Sequence, residues 1–277
     1  MSKSNPTLSV VLGMYKENVS AVSAILKNLR EQTYPADEII VVVDNPNNIA
    51  VKQYLNHEAT IDRKLTVIHN TKNIGLGASL NKAVRVAKGE LLARTDLEDW
   101  SEPERFLEQI NYFRNHPDAD LVFTQWQEHY EDNTKKDRLP TSAQVQDIKR
   151  NFFVKSILLH PTLVIRREIL EHHPYPEMDR PEDFVLFLKL IRLNYHFDTV
   201  EKVLYHYQVD RRERYEKTKI YSENLLPQLF KMIPYFIVNP YFYLYLIRIS
   251  AEYAISRNKF VYDNMNATAA RIWRIFF

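Results

Sequence analysis

The sequence predicts an α/β fold with a mostly parallel central sheet, helices on both faces and a helical extension at its C-terminal end. Three observations carry that expectation. Short apolar runs alternate with helical periodicity five times before residue 125, the order that βαβ units write into a chain. Several of these runs are nearly unbroken in β-branched residues, as in Ile39-Ile40-Val41-Val42-Val43, which suits strands buried on both sides. One run, Leu91-Leu92-Ala93-Arg94, passes directly into Thr95-Asp96-Leu97-Glu98-Asp99. That places three carboxylates where a strand of such a sheet would release its chain into a ligand-binding crevice.

Taken in order, Leu8 to Leu12 is the first strand, bounded upstream by Pro6. Val19, Val22, Ile25, Leu26 and Leu29 recur at helical spacing behind Asn18, a good capping residue, and Pro35 marks the stop. The second strand ends in the turn signal Asp44-Asn45-Pro46. A polar helix over Asn48 to Asn56 and a third strand over Leu65 to Ile68 follow. Asn70 to Gly77 holds two of only four glycines and leads into a helix with Leu80, Ala83, Val84 and Ala87 on one face. Gly89 is expected to close that helix as a C-terminal glycine. Beyond the acid-ending strand, Pro103 starts a helix faced by Phe106, Leu107, Ile110 and Phe113, and Ala119 to Phe123 is the fifth strand. Glu128 to Arg138 reads as a solvated loop or hairpin tip, and His160 to Ile165 as a return to strand. Pro181, suited to a first helical position, introduces a helix through Ile191, and a last strand runs from Phe197 to Tyr207. From Tyr221 on, the pattern is helical and rich in aromatic residues.

The 277 residues suit one large domain with an extension, divided here as 1–208 and 209–277. A net charge of +2 gives no case for a nucleic-acid partner. The absence of cysteine excludes disulfides, thiolate zinc sites and a thiol nucleophile, and agrees with a reducing cytoplasm. Met1 to Pro6 lacks the apolar core of a signal peptide. The aromatic run 234–247 is interrupted by prolines and flanked by Lys231 and Arg248. It is therefore expected to lie on a membrane surface, with a dimer interface or a packed helical subdomain as the equal alternative, and not to span a bilayer.

Two acidic stretches carry candidate chemistry. Asp96, Glu98 and Asp99 repel one another unless a cation holds them, and hard ions such as Mg²⁺ or Mn²⁺ take carboxylate and phosphate oxygens. The competing reading is a solvated acidic turn before a helix. Glu182 and Asp183 sit in a first helical turn, where the helix dipole favours ionised carboxylates, and an ionised carboxylate can act as a general base. Ordinary helix-start acids are the alternative there.

The motifs together resemble the inverting glycosyltransferases of family 2, with the GT-A fold, over about residues 7 to 208. Met14-Tyr15-Lys16-Glu17 after the first strand, Ile40-Val41-Val42-Val43-Asp44-Asn45 and Asn73-Ile74-Gly75 with Asn81 carry the first half of the resemblance. Lys88-Gly89-Glu90 ahead of Asp96-Leu97-Glu98-Asp99, and Pro181-Glu182-Asp183 with Leu186 and Lys189-Leu190, carry the second. The resemblance implies transfer of a hexose or N-acetylhexosamine from a UDP-sugar to a glycan or lipid-linked glycan, on the cytoplasmic face of a membrane. It implies Tyr15, Glu17, Asp44, Lys72 and Asp96 as nucleotide-binding residues, and Asp183 as base with Glu182 supporting the acceptor. It implies Asp96, Glu98 and His206 as ligands of Mn²⁺ or Mg²⁺, with Arg211 or Arg212 near the diphosphate; Asp99 is instead expected, on ordinary structural grounds, to cap the following helix. Glu98 departs from the family, which most often has Asp there, so the longer side chain shifts the ion or interposes water. That departure keeps a catalytically silent binding or assembly partner as the alternative, and a dTDP-sugar is the alternative donor. A nucleotidyltransferase is disfavoured, because Gly13-Met14-Tyr15-Lys16-Glu17 has one glycine and no arginine.

Overall fold

A computed structural model describes residues 5–153, 157–209 and 214–257, the side chains of 214–217 excepted. The first half runs β1 (Leu8–Met14), α1 (Val19–Arg30), β2 (Glu38–Val43), α2 (Ile49–Ile61), β3 (Leu65–His69), α3 (Leu76–Val86), β4 (Leu91–Arg94), β5 (Trp100–Ser101), α4 (Arg105–Asn115), β6 (Leu121–Tyr130) and β7 (Lys135–Arg138). The second half adds α5 (Ser142–Gln146), α6 (Ile148–Asn151), β8 (Val164–Arg166), α7 (Arg167–His172), α8 (Glu182–Arg192), β9 (Phe197–Val209), α9 (Arg214–Met232) and α10 (Pro240–Ser256). Among the described residues the strands form one nine-stranded sheet in the order β3-β2-β1-β4-β8-β6-β9-β5, with β7 hairpinned onto β6. β3, β2, β1 and β4 are parallel. The fifth expected strand, β6, does not extend this series, because β8 inserts antiparallel between β4 and β6.

Strand alternation explains the unbroken Val/Ile runs. Along β2, Ile39, Val41 and Val43 enter one core cluster with Val22, Ile25, Leu26 and Leu29 of α1. Ile40 and Val42 enter the opposite cluster with Leu80, Ala83 and Val84 of α3. Successive side chains point to opposite faces, so a strand covered on both sides has no polar position. Asn18 caps α1 as expected, its Oδ1 accepting from Ala21 N at 2.9 Å.

Three local expectations are corrected. Gly89 is not a left-handed helix cap. It is glycine because a Cβ there would lie 2.6 Å from the Ser9 nitrogen, and its own N–H donates to Ser9 Oγ at 2.8 Å. His160–Thr162 is a single 3-10 turn, and the strand starts only at Val164. Pro181 is the residue before α8 rather than its first member.

The last two helices join the main core cluster. Leu225 and Leu229 of α9, Phe242 and Ile249 of α10, and Phe236 between them share one cluster with Phe187 and Leu190 of α8. Ile237 and Val238 in the connection are exposed. No helix among the described residues is long and apolar enough to cross a membrane.

Arg105 ties the acid-bearing end of β4 to its surroundings. It is fully buried. It donates from Nη2 to Arg94 O and Pro161 O, each at 2.8 Å, from Nη1 to Ser101 Oγ at 3.0 Å, and from Nε to Gln109 Oε1 at 3.2 Å. Its guanidinium lies 4.9 Å from the Tyr205 ring centre. Burial pushes its pKa down to about 10, which leaves it charged at neutral pH. Each buried acceptor that loses its donor costs about 1–3 kcal/mol. Arg105→Leu should therefore lower the urea-unfolding free energy by about 3 kcal/mol or more, and a loss below about 1 kcal/mol would deny Arg105 this role.

Candidate active site

A cleft of about 1060 Å³ opens where β1, β2 and β4 end together. Tyr15, Glu17, Asp44, Asp96, Glu98, Glu182 and Asp183 all line it. Parallel strands deliver their C-terminal ends to one side of the sheet, so residues far apart in sequence meet there.

At the β2 end, Asp44 is buried. Its Oδ1 accepts from Asn70 Nδ2 at 2.8 Å and Ile74 N at 2.9 Å, and its Oδ2 accepts from Gly75 N at 2.8 Å. These bonds hold the turn into α3, where Gly75 adopts φ +86°, a conformation that favours glycine. A carboxylate has about four acceptor sites, so capacity for one further donor remains on Asp44. Tyr15 lies half exposed at the rim of the cleft, and its N–H donates to Glu17 Oε2 at 2.6 Å. Burial raises the Glu17 pKa against two backbone hydrogen bonds that lower it, and the charges of Glu98 and Asp96 add to the rise.

At the β4 end, the Arg94 side chain is buried and donates to Asp96 Oδ1 at 2.6 Å and to the Thr95 carbonyl. Glu98 is exposed on the cleft wall. Asp99 does not cap a helix. Its Oδ2 accepts from Tyr205 Oη at 2.8 Å and its Oδ1 from Gln208 N at 2.8 Å, fixing the acidic turn to β9. Burial and then the Asp96 charge push the Asp99 pKa up to about 8.

Across the cleft, Glu182 and Asp183 begin α8. Gly77 lets this helix start approach α3. A Cβ at Gly77 would lie 2.7 Å from Pro176 O and 3.3 Å from Glu182 Cβ. Burial and the adjacent Asp183 raise Glu182 to about 7, opposed by a backbone hydrogen bond and the charge of Arg94. Asp183 is raised by burial, and the Phe184 N–H at 2.8 Å and Arg94 pull it back. Arg94 thus acts on both acidic groups of the cleft.

Two expected site residues fall elsewhere. Lys72 is exposed and outside the cleft lining. The turn presents the backbone N–H groups of Ile74 and Gly75 to Asp44, and the lysine one residue before Asn73 extends into solvent. His206 is also outside the lining. On β9 Tyr205 bonds to Asp99 and Tyr207 lines the cleft, so His206 between them takes the other face. There it stacks on Trp100 at 4.9 Å and pairs with Glu102 Oε1 at 2.7 Å and His129 Nε2 at 3.1 Å. Arg211 and Arg212 lie outside the described residues. Trp126 is a core residue. His160 is buried against Tyr175 Oη at 2.8 Å, and burial with the nearby Arg94 charge keeps it neutral. The sequence reading missed Arg94 and Tyr205. The signal for Arg94 was present, a lone cation closing an apolar strand immediately before the acids, whereas the register that brings β9 alongside leaves no local trace.

Residues 9–173 match the family model described as glycosyl transferase family 2. The chain is 31% identical over 245 residues to an uncharacterized glycosyltransferase of Methanocaldococcus jannaschii, covering 86% of this chain and 84% of that protein. It is 31% identical over 206 residues to the amylovoran biosynthesis glycosyltransferase AmsE of Erwinia amylovora, covering 71% and 74%. It is 26% identical over 228 residues to the UDP-Gal:alpha-D-GlcNAc-diphosphoundecaprenol beta-1,3-galactosyltransferase of Escherichia coli, covering 79% and 78%. Among solved structures, S. aureus TarS in complex with UDP-GlcNAc aligns with a TM-score of 0.67 at 17% identity, over 94% of this chain and 74% of that one. The mannosyltransferase PcManGT of Pyrobaculum calidifontis in complex with GDP-Man and Mn²⁺ aligns at 0.64 and 20% identity, over 99% and 83%. At such identities the two structures speak for the shared GT-A fold alone. The family match over more than half the chain, and a relative 31% identical across most of both proteins, place this chain in glycosyl transferase family 2, as a nucleotide-sugar-dependent glycosyltransferase.

Proposed function

We propose that the chain transfers a hexose or N-acetylhexosamine from a UDP-sugar to a glycan, with inversion and with Mn²⁺ or Mg²⁺, in the synthesis of a cell-surface polysaccharide on a lipid-linked acceptor. The observation that carries this reading is the convergence of two acidic sites, Asp96 with Glu98 and Glu182 with Asp183, on one cleft. An amylovoran glycosyltransferase and a galactosyltransferase named for a diphosphoundecaprenol substrate among the relatives support the acceptor class. That galactosyltransferase is also named for UDP-Gal, which supports UDP over dTDP.

Tyr15, Glu17 and Asp44 surround the place of the base and ribose, with the remaining acceptor capacity of Asp44 directed to a ring N–H. The donor set fits a hard divalent ion. Asp96 uses Oδ1 on Arg94, which leaves Oδ2, and Glu98 adds an exposed carboxylate. No group of three His, Cys, Asp or Glu suited to a metal occurs among the described residues, so Asp96 and Glu98 would hold the ion together with oxygens of the sugar diphosphate, the usual arrangement for Mg²⁺. When bound, the ion neutralises charge developing on the departing diphosphate. In the single displacement, Asp183 takes the proton of the acceptor hydroxyl. The oxygen forms its bond to the anomeric carbon as the bond to the diphosphate breaks, and that electron pair leaves with UDP.

UDP with Mn²⁺ should raise the melting temperature, and both chelator and Asp96→Ala should remove most of that rise, since a ligand stabilises only the state that binds it. An equal rise in the presence of chelator would exclude the metal from donor binding. Asp183→Asn should keep the UDP shift and transfer sugar at least about 100-fold more slowly, the usual range for loss of a general base. The raised Glu182 and Asp183 titrate as a pair. A base must be deprotonated, and burial raises Asp183, so transfer should decline with falling pH at a higher pH than an ordinary aspartate would give. Transfer by Asp183→Asn at the wild-type rate would reject the base assignment.

A further inference from the structure

We infer that α9 and α10 build the subsite for the sugar ring of the acceptor, on the side of the cleft next to Asp183. The inference rests on the glycosyltransferase reading of the cleft and adds to it a wall beyond the residues that the family model matches, 9–173. Tyr221 of α9 and Tyr245, Arg248, Ile249 and Glu252 of α10 line the same cleft as the two acidic sites. The α10 residues fall at intervals of three, four and seven, so they occupy one helix face.

Ring packing fixes this face to the proposed base. Phe184, the residue after Asp183, stacks on Tyr245 at 5.3 Å and 12° and on Phe152 at 4.5 Å and 29°. It also meets the edge of Tyr221 at 6.3 Å. Movement of α10 would therefore disturb the first turn of α8. The hydroxyls of Tyr221 and Tyr245 lie 3.3 Å apart. One and two turns further along, Arg248 Nε donates to Glu252 Oε1 at 2.9 Å. Burial raises both tyrosines, and the charge of Asp183 contributes to each rise, so both remain neutral hydroxyls at working pH.

The chemistry of this face selects its ligand. Two hydroxyls, a guanidinium and a carboxylate offer donors and acceptors within a short strip, above a base of aromatic rings. A pyranose presents neighbouring hydroxyls that both donate and accept, and it meets such a strip without leaving a polar group unpaired. A diphosphate would ask for positive charge in excess, whereas among the described residues α10 brings its one lining cation, Arg248, already paired with Glu252. The face therefore fits a neutral sugar better than the phosphates of a lipid-linked acceptor. The donor lies against β1, β2 and β4, so the two sugars approach Asp183 from opposite walls.

The test uses octyl β-glycosides of glucose, galactose and N-acetylglucosamine as probes, titrated by saturation-transfer NMR against the whole chain with UDP and Mn²⁺. The wild type should bind at least one of them. Glu252→Gln and Tyr245→Phe should weaken that binding about tenfold, equivalent to about 1.4 kcal/mol, while the Kd for UDP stays within about twofold. Two conservative variants on different parts of the face guard against the misfolding of either. Unchanged glycoside affinity in both variants overturns the inference, as does a wild type that binds UDP but none of the glycosides. A wild type that fails to bind UDP at all would instead remove the underlying reading of the cleft.

Discussion

A buried arginine at the end of β4 allows this cleft to hold so many carboxylates. Arg94 donates to Asp96 at 2.6 Å, and its charge opposes the rise in proton affinity of Asp99, Glu182 and Asp183. Without a fixed cation between them, two acidic groups facing one another across a low-dielectric cleft would take up protons, and neither would serve as metal ligand or base. Arg94 in turn depends on Arg105, which holds the Arg94 carbonyl and the Pro161 carbonyl from below. The end of β4 is thus fixed by a second buried guanidinium bonded only to neutral acceptors. The site exists because the fold invests two buried cations there.

The approach of the two halves depends on small residues at defined places. Gly77 leaves room for Pro176 and Glu182, which brings the start of α8 against α3. Asp44 fastens the start of α3 to the end of β2. The path from the nucleotide half to the proposed base therefore runs through one helix, α3, held at its first turn on both sides. Phe184 continues the path to α10 through its stack on Tyr245. The C-terminal helices share a core cluster with α8.

Much of this was legible in the sequence, for physical reasons. The parallel half of the sheet could be read because strands covered on both faces must be apolar at every position, as β2 is. The acidic pairs could be read because carboxylates clustered at strand and helix ends need either solvent or a cation. Other features depend on contacts distant in sequence. The antiparallel insertion of β8 between β4 and β6 leaves no mark on its three residues. The register of β9 puts His206 on the face away from the cleft lining, beside Trp100, and that register leaves no local trace in the sequence. Asp99 looked like a helix cap and is instead bonded to Tyr205, 106 residues away. Lys72 looked suited to an anion, but a turn organised by backbone N–H groups left its side chain outside the lining.

In the proposed displacement, Asp183 and the acids Asp96 and Glu98 face each other across the anomeric carbon, so that the acceptor attacks opposite the leaving diphosphate. The most direct measurement is proton NMR of the anomeric centre in product formed from an α-linked UDP-sugar. A single displacement gives a β-linked product from the first turnover. An α-linked product would mean retention, and would contradict a single displacement with Asp183 as its base.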